Sequence, residues 1–404
     1  MRSIPFSPPD ITESEIDAVA ETLRSGWITT GPKTKEFEKK VAEFLGTPKA
    51  VALGSCTSSL ELTLRILGIG EGDEVIVPAY TYTASAACIA HVGARIVMVD
   101  TSPDSFLIDP ERVADAVTEN TKAVIPVDIA GKMCDYERIF EAVESKRQLF
   151  RPKNDIQRLF NRVIVVSDSA HGFGSSRHGV MSGCVADFTA FSLHAVKTIT
   201  SAEGGIATWK HHEGLDDEKL YNKYMLYSLH GQTKDALHKN LAGSWEYDIV
   251  VPGYKCNMTD IQAAIALVQL RRFREIQGRR RAIIDMYDKA MDEMGVGYLH
   301  HVNADFVTSC HIYLTRVPNI GHRERNEIID RMAELGVSCN VHFKPLPMMT
   351  AYKNMGFDIK DYPNAYAHYK NEITLPLHTK LSDDDVKYVI ECYRKVLSEM
   401  KLIN

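Results

Sequence analysis

The 404-residue sequence has no CxxC pair and no cysteine or histidine spacing that would grip zinc. Its eight cysteines are scattered as Cys56, Cys88, Cys134, Cys184, Cys256, Cys310, Cys339 and Cys392. That pattern is expected of separate buried thiols in a reducing compartment, not of a disulfide framework. No apolar run reaches the roughly 20 residues of a bilayer span, and the opening MRSIPFSPPD has no signal-peptide core. Charge of one sign is also missing. The net charge is −6 with both signs interspersed, which excludes the electrostatic footprint of a nucleic-acid or anionic-membrane binder. Internal repeats and low-complexity tracts are absent. What is present is an apolar fraction of 45%, enough for a large core divided over two or three domains. A soluble cytoplasmic enzyme is the expectation.

Thr12 and Glu15 form a capping box for a helix with Ile16, Val19 and Leu23 on one face. A second helix turns Phe37, Val41 and Phe44 inward. From residue 50 short apolar runs alternate with helical stretches. EVIVP (74–78), RIVMVD (95–100), AVIPVD (123–128), VIVVSD (163–168) and FTAFS (188–192) each predict a buried strand. A helix with Leu60, Leu64 and Leu67 ends at Gly68. Unbroken apolar strands alternating with helices argue an α/β fold with a mostly parallel sheet covered on both faces. Ligands bind such sheets at the carboxyl ends of the strands. Asp100, Asp128 and Asp168 stand at such ends, so at least one should face a site. The basic segment 145–162 predicts a solvated excursion. Thr259 caps a long helix, and beyond it HIYLTRV (311–317) and two further helices predict a smaller α+β domain. The stretch 344–363 predicts loop.

The chemistry concentrates in FSLHAVKTITSAEGG (191–205), where Lys197 follows a strand end. A lysine so placed can condense with an aldehyde cofactor, although alone it is far more often a solvated surface group. Asp168 adds a carboxylate that could keep a pyridine nitrogen protonated; alone it could equally cap the next turn. GSCTSS (54–59) opens a helix, where backbone N–H groups and hydroxyls make a phosphate cradle or an ordinary N-cap. Cradle, acid and lysine occur in the chain order that a fold-type I pyridoxal 5′-phosphate (PLP) enzyme requires.

From GWITTGPKTKEFE (26–38) to LPLHTKLSDDDV (375–386) the chain resembles the DegT/StrS-type family of PLP-dependent sugar aminotransferases. SLHAVKTITSAEGG and PGYKCNMTDIQAAIALVQL (252–270) are very similar to the pattern of the aminotransferases that make UDP-4-amino-4-deoxy-L-arabinose. The resemblance implies the aspartate-aminotransferase-like fold, with a PLP-binding domain over 1–250 and an interface helix plus small domain over 251–404. It implies Lys197 as the catalytic residue that holds PLP and moves protons. Asp168 would pair with the ring nitrogen and His171 would lie near the ring. Tyr82 would stack on its face, with a core tyrosine as the alternative. Thr57, Ser58 and Ser192 would hold the phosphate. Family members are homodimers that complete each site with a partner loop. Residues 228–257 would be that loop, with Lys255 of the partner subunit on the phosphate and Asn257 nearby. Thr29, His230 and His342 would face the substrate, a nucleotide-linked (UDP) 4-keto sugar that takes its amine from an amino acid, glutamate, for cell-surface polysaccharide or antibiotic-sugar synthesis. Asp128 stands where many members have histidine, and Pro347 replaces a second histidine in HFKPLP (342–347). Alternatives are a 3-keto-sugar aminotransferase, a PLP-binding sensor and a desulfurase; Lys197 argues against the dehydratases that carry histidine there. No metal is expected, and His211-His212 predicts a solvated turn.

Overall fold

A computed structural model of the chain describes residues 2–233 and 246–403. Residues 234–245 of the expected interface loop, Gly243 among them, lie outside the described residues. The central sheet has seven strands. They are β1 (Ala50–Leu53), β2 (Glu74–Pro78), β3 (Arg95–Val99), β4 (Thr121–Val124), β5 (Ile164–Asp168), and, after the short ribbon strands β6 (Ser176–Arg177) and β7 (Val180–Met181), β8 (Phe188–Ser192) and β9 (Gly205–Trp209). Their order is β1-β9-β8-β5-β4-β2-β3. β3, β2, β4, β5 and β8 pair in parallel, whereas β9 runs antiparallel to β1 and β8. Val75, Ile76, Val77, Val165 and Val166 are fully buried, as befits strands covered on both faces.

β4 stops at Val124, four residues short of the expected Asp128. Pro126 has no N–H to donate, so the ladder cannot continue through it. The N–H groups of Ile125 and Asp128 still bond across, to Ile76 (2.7 Å) and Asp168 (3.1 Å). The basic excursion contains two short helical pieces, Arg147–Leu149 and Asp155–Phe160. Arg162 at its end is not solvated. It is buried and forks onto Asp187 at 2.7 and 2.8 Å, a bidentate geometry particular to arginine.

Helix α1 (Glu13–Ser25) begins where Glu15 accepts from the Thr12 N–H at 2.8 Å. Its apolar face is the open one: Ile16 and Leu23 are each 52% exposed. The inward face is polar because Glu15 binds Arg272 (2.9 Å) and Gln269 (2.8 Å) on the long helix Asp260–Met294. α2 (Pro32–Leu45) buries Phe37 and Val41, and Phe44 is half-buried against Phe173. α3 (Cys56–Ile66) buries Leu60 and Leu64, with Gly68 at φ +70° just beyond its end. α4 (Thr83–His91) follows β2.

Thr259 and Gln262 form the capping box of the long helix. Its early turns pack Ala263 and Ala266 against Phe37 and Phe191, while Ile283, Ile284 and Tyr287 lie in a second core. That core rests on a small antiparallel sheet of β10 (Gly297–Tyr298), β12 (Tyr313–Arg316) and β13 (Glu372–Leu375). Between β10 and β12, β11 (Phe306–Val307) crosses to pair with β6. Helices His322–Glu334 and Asp383–Glu399 complete this part. The stretch 344–363, expected as loop, is broken instead into helical turns at Leu346–Met348, Thr350–Asn354 and Ile359–Asp361. Local caps stabilise them; Asp358, for example, accepts from the Lys360 N–H at 3.0 Å. The eight cysteines are free thiols; Cys184, Cys256 and Cys339 are half-buried and the other five buried. No helix among the described residues is long and apolar enough to cross a membrane.

Candidate active site

The carboxyl ends of β5 and β8 and the N-termini of α3 and α4 open onto a cavity of about 480 Å³. Lys197, Asp168, Thr57, Tyr82, His171, Ser192 and His342 all line it. Burial pushes the Lys197 amine down to about 8, against the pull of Cys56 and Asp168. Asp168 ends β5 and is itself buried. Burial raises its carboxyl above the usual carboxylate range, an effect opposed by hydrogen bonds from the Ser85 hydroxyl (2.6 Å) and the Ala170 N–H (3.1 Å).

The two other strand-end aspartates do not line the cavity. Asp100 accepts from the N–H groups of Asn364 (2.9 Å) and Ala365 (2.8 Å), anchoring the short helix Pro363–Tyr369. Asp128 lies under the turn that follows β5. It accepts from the Cys134 N–H (2.9 Å), the Tyr136 hydroxyl (3.0 Å) and the Ser169 hydroxyl (2.7 Å). Burial raises its carboxyl to about 6.

Burial holds His171 well below the usual histidine range, so it is neutral. Its Nδ1 faces the Ala130 N–H at 3.2 Å. A backbone N–H only donates, so Nδ1 accepts and the ring proton sits on Nε2. The ring packs 4.4 Å from His311, a buried neutral histidine that also lines the cavity. Tyr82 is not a core tyrosine. Its ring is 61% exposed at the cavity mouth, 6.1 Å from Phe343.

The start of α3 presents Ser55, Cys56 and Thr57 to the same cavity, with Cys56 Sγ 3.8 Å from Asp168 Oδ1. Ser55 is the N-cap and accepts from the Ser58 N–H at 3.0 Å. First-turn amides of a helix have no intrahelical partner and suit a phosphate. β9 runs so close behind that a Cβ on Gly205 would stand 2.1 Å from the Ser55 carbonyl carbon. The Ser58 hydroxyl turns to Ser55 (2.8 Å) and does not line the cavity.

Thr29, His230, Lys255 and Asn257 are also absent from the cavity wall of their own chain. The Lys255 amine donates to Asn257, which in turn bonds Thr30. His230, at φ +63°, donates its N–H to the Tyr254 carbonyl at 2.7 Å. The sequence reading missed Ser85, His311 and Phe343, and it included Ser55 in the GSCTSS cradle without giving it a role of its own. Nothing in TASAAC or in TSCHIY marks Ser85 or His311, because their role depends on which strand end they meet.

The donor set fits a phosphorylated pyridine aldehyde: a partly neutral amine, a buried carboxyl and a helix N-terminus line one cavity. Fold and site together define a PLP-dependent aminotransferase. Residues 9–394 match the DegT/DnrJ/EryC1/StrS aminotransferase family, and the chain belongs to it. A Streptococcus pneumoniae protein described as a sugar aminotransferase, Spr1654, is 55% identical in its PMP form, with a TM-score of 0.96 over 98% of this chain and 100% of its own. It is also solved in a PLP form, with a TM-score of 0.95. The Bacillus subtilis spore coat polysaccharide biosynthesis protein SpsC is 38% identical over 398 residues, 98% of this chain and 97% of its own. Helicobacter pylori PseC, an aminotransferase of pseudoaminic acid biosynthesis, is 26% identical with a TM-score of 0.85, covering 98% of this chain and 100% of its own.

Proposed function

We propose that this enzyme converts a UDP-linked 4-keto sugar to the 4-amino sugar with glutamate as donor, in the cytoplasm, for a cell-surface polysaccharide. The carrying observation is that Lys197, Asp168 and the start of α3 line one cavity. PLP supplies an aldehyde carbon that condenses with amines and a ring that takes up the electron pair left when a proton departs. Lys197 Nζ, brought down to about 8 by burial, would hold the cofactor and move that proton at the amine-bearing carbon in both half-reactions. Asp168 Oδ atoms, oriented by Ser85 and Ala170, hold the proton on the ring nitrogen. The amides and hydroxyls of Cys56, Thr57 and Ser192 bind the phosphate. The exposed Tyr82 ring covers one face and excludes water.

The active unit in this reading is a homodimer with shared sites. Two features support it. Lys255 is exposed and off its own cavity wall, where a partner's phosphate could meet it as a point charge. Ile16, Leu23, Ile28, Ile249 and Val250 are exposed apolar residues that association would cover.

Lys197→Ala is expected to purify folded, without the absorbance of lysine-linked cofactor and without transamination. Retained full activity would remove the proposal. The substrate is tested on the pyridoxamine form with a panel of UDP- and dTDP-linked keto sugars, reading the aminated product by mass. Amination of a 3-keto but no 4-keto sugar would overturn the position assigned.

A further inference from the structure

His342 enters the cavity wall from the loop ahead of the short turn Leu346–Met348. Behind it, β13 places two polar side chains on one face, Glu372 and Thr374, both fully buried. The Thr374 hydroxyl lies 2.6 Å from Glu372 Oε1 and 2.9 Å from His342 Nδ1. Glu372 Oε2 accepts from the His342 backbone N–H at 2.8 Å. The carboxyl therefore grips the histidine twice, once through its backbone and once through a hydroxyl. With Nδ1 engaged by Thr374, Nε2 is the ring nitrogen left for the cavity.

A hydroxyl carries one proton and can donate it once. When Glu372 is ionised, Thr374 donates to Oε1 and must accept from Nδ1–H, so Nε2 has no proton. When Glu372 is protonated on Oε1, it donates to Thr374, whose own proton then goes to Nδ1. The ring proton is in that case on Nε2. We propose that Glu372, acting through Thr374, sets the tautomer of His342, and so decides whether the cavity meets an N–H donor or a bare nitrogen acceptor there. The step balances. One proton entering at Nε2 moves the Nδ1 proton to Thr374 Oγ1 and the Thr374 proton to Glu372 Oε1. The imidazole stays neutral throughout, which matters because burial pushes its own protonation down to about 3.

The groups around Glu372 bias the switch in both directions. Arg325, on helix His322–Glu334, donates to the Glu372 carbonyl at 3.1 Å and its charge favours the ionised carboxyl; Arg316 is the cross-strand partner on β12. Tyr80, which bonds the His342 carbonyl at 2.6 Å, Cys339 and Tyr393 also face it, uncharged. Lys197 acts on His342 from across the cavity. Burial outweighs Arg325 and the hydrogen bonds from Thr374 and His342, and raises the Glu372 carboxyl to about 8. At neutral pH, then, His342 joins His171 in presenting Nε2–H to the cavity. Resting on the keto-sugar reading, this pair suits a carbonyl or phosphate oxygen better than a hydroxyl proton.

Glu372 and Thr374 are positioning residues, and the test reads the ring itself. Holoenzyme labelled with ¹⁵N-histidine is followed by long-range ¹H–¹⁵N correlation without any sugar, with the His342 signals assigned by their loss in His342→Gln. The unprotonated nitrogen is expected to be Nδ1 well below pH about 8 and Nε2 well above it. Thr374→Ser should keep this exchange, whereas Thr374→Val and Glu372→Gln should abolish it. A single tautomer across the whole range in the wild type would overturn the inference. So would a Thr374→Val protein that exchanges like the wild type. No sugar is present, so failure of the substrate assignment leaves this measurement untouched.

Discussion

Ser85 touches no reacting group, yet its hydroxyl favours the ionised form of Asp168 against the burial that raises it. A hydrogen bond to a charged acceptor contributes about 1.5–3 kcal/mol, which is about tenfold or more in a rate that needs the charge. Ser85→Ala is therefore expected to lower kcat about tenfold at saturating PLP, and Asp168→Asn to lower it further. A near wild-type kcat in Asp168→Asn would mean that another group protonates the ring. Lys197 gives a pH dependence of the opposite kind. With its amine at about 8, about a tenth of it is neutral at pH 7, and the neutral form is the nucleophile. Uptake of PLP by the apoprotein should accelerate as pH rises through about 8 and then level off, followed by absorbance. Glu372 should leave a mark on stability. Its folded carboxyl is raised from 4.5 to about 8 by burial, so its contribution is fully present below about 4.5 and is lost as pH rises through about 8. The thermal midpoint of Glu372→Gln relative to wild type should climb over that window. A constant difference would contradict a raised carboxyl.

Elements hold these residues by a few backbone grips that can be cut one at a time. The carboxylate of Asp260, in the first turn of the long helix, accepts from the N–H groups of Gly31 (2.8 Å), Lys33 (3.0 Å) and Thr34 (2.9 Å) and so caps α2 from a distance. Asp260→Ala would orphan these donors, at about 1–3 kcal/mol for each one buried. The denaturant midpoint should fall well below that of wild type. Gly205 is the grip of β9 on α3. A Cβ there meets Ser55 carbon at 2.1 Å and Cys56 nitrogen at 2.4 Å, backbone atoms that cannot rotate away. Gly205→Ala must displace the start of α3, and a misplacement near 1 Å costs about 10²-fold. The loss should appear in PLP affinity by equilibrium titration; an unchanged affinity would take the phosphate away from α3. The same scale shows where pattern reading ran out. β2, β5 and β8 were legible as unbroken apolar runs. β4 was overextended because one missing N–H at Pro126 does not change an apolar pattern. The inward face of α1 was hidden because it is polar, and only Arg272 and Gln269, more than 250 residues later, make Glu15 a buried residue.

At the scale of the whole molecule, the proposed sharing of the site between two subunits predicts complementation. Lys197→Ala and Lys255→Glu, each inactive alone, are expected to regain part of the activity when dissociated together and reassociated, since one pocket of the hybrid then has both native lysines. No recovery, with hybrids confirmed by mass, would place Lys255 in its own subunit's service. The sequence by itself determined the fold class, the order of lysine, acid and phosphate loop, and the strand ends where they stand. Apolar periodicity and a helix N-terminus are local properties, carried by neighbouring residues. Apolar pattern left the strand-end acids Asp100, Asp128 and Asp168 alike and only the family resemblance pointed to Asp168; tertiary structure decided that the other two stay off the cavity wall, through what packs beside them. It also brought Ser85 to Asp168, 83 positions away, and Glu372 and Thr374 to His342, 30 and 32 positions away. A proton's position on a buried imidazole is set by the partners that reach it through space, and the linear order of residues does not contain that distance.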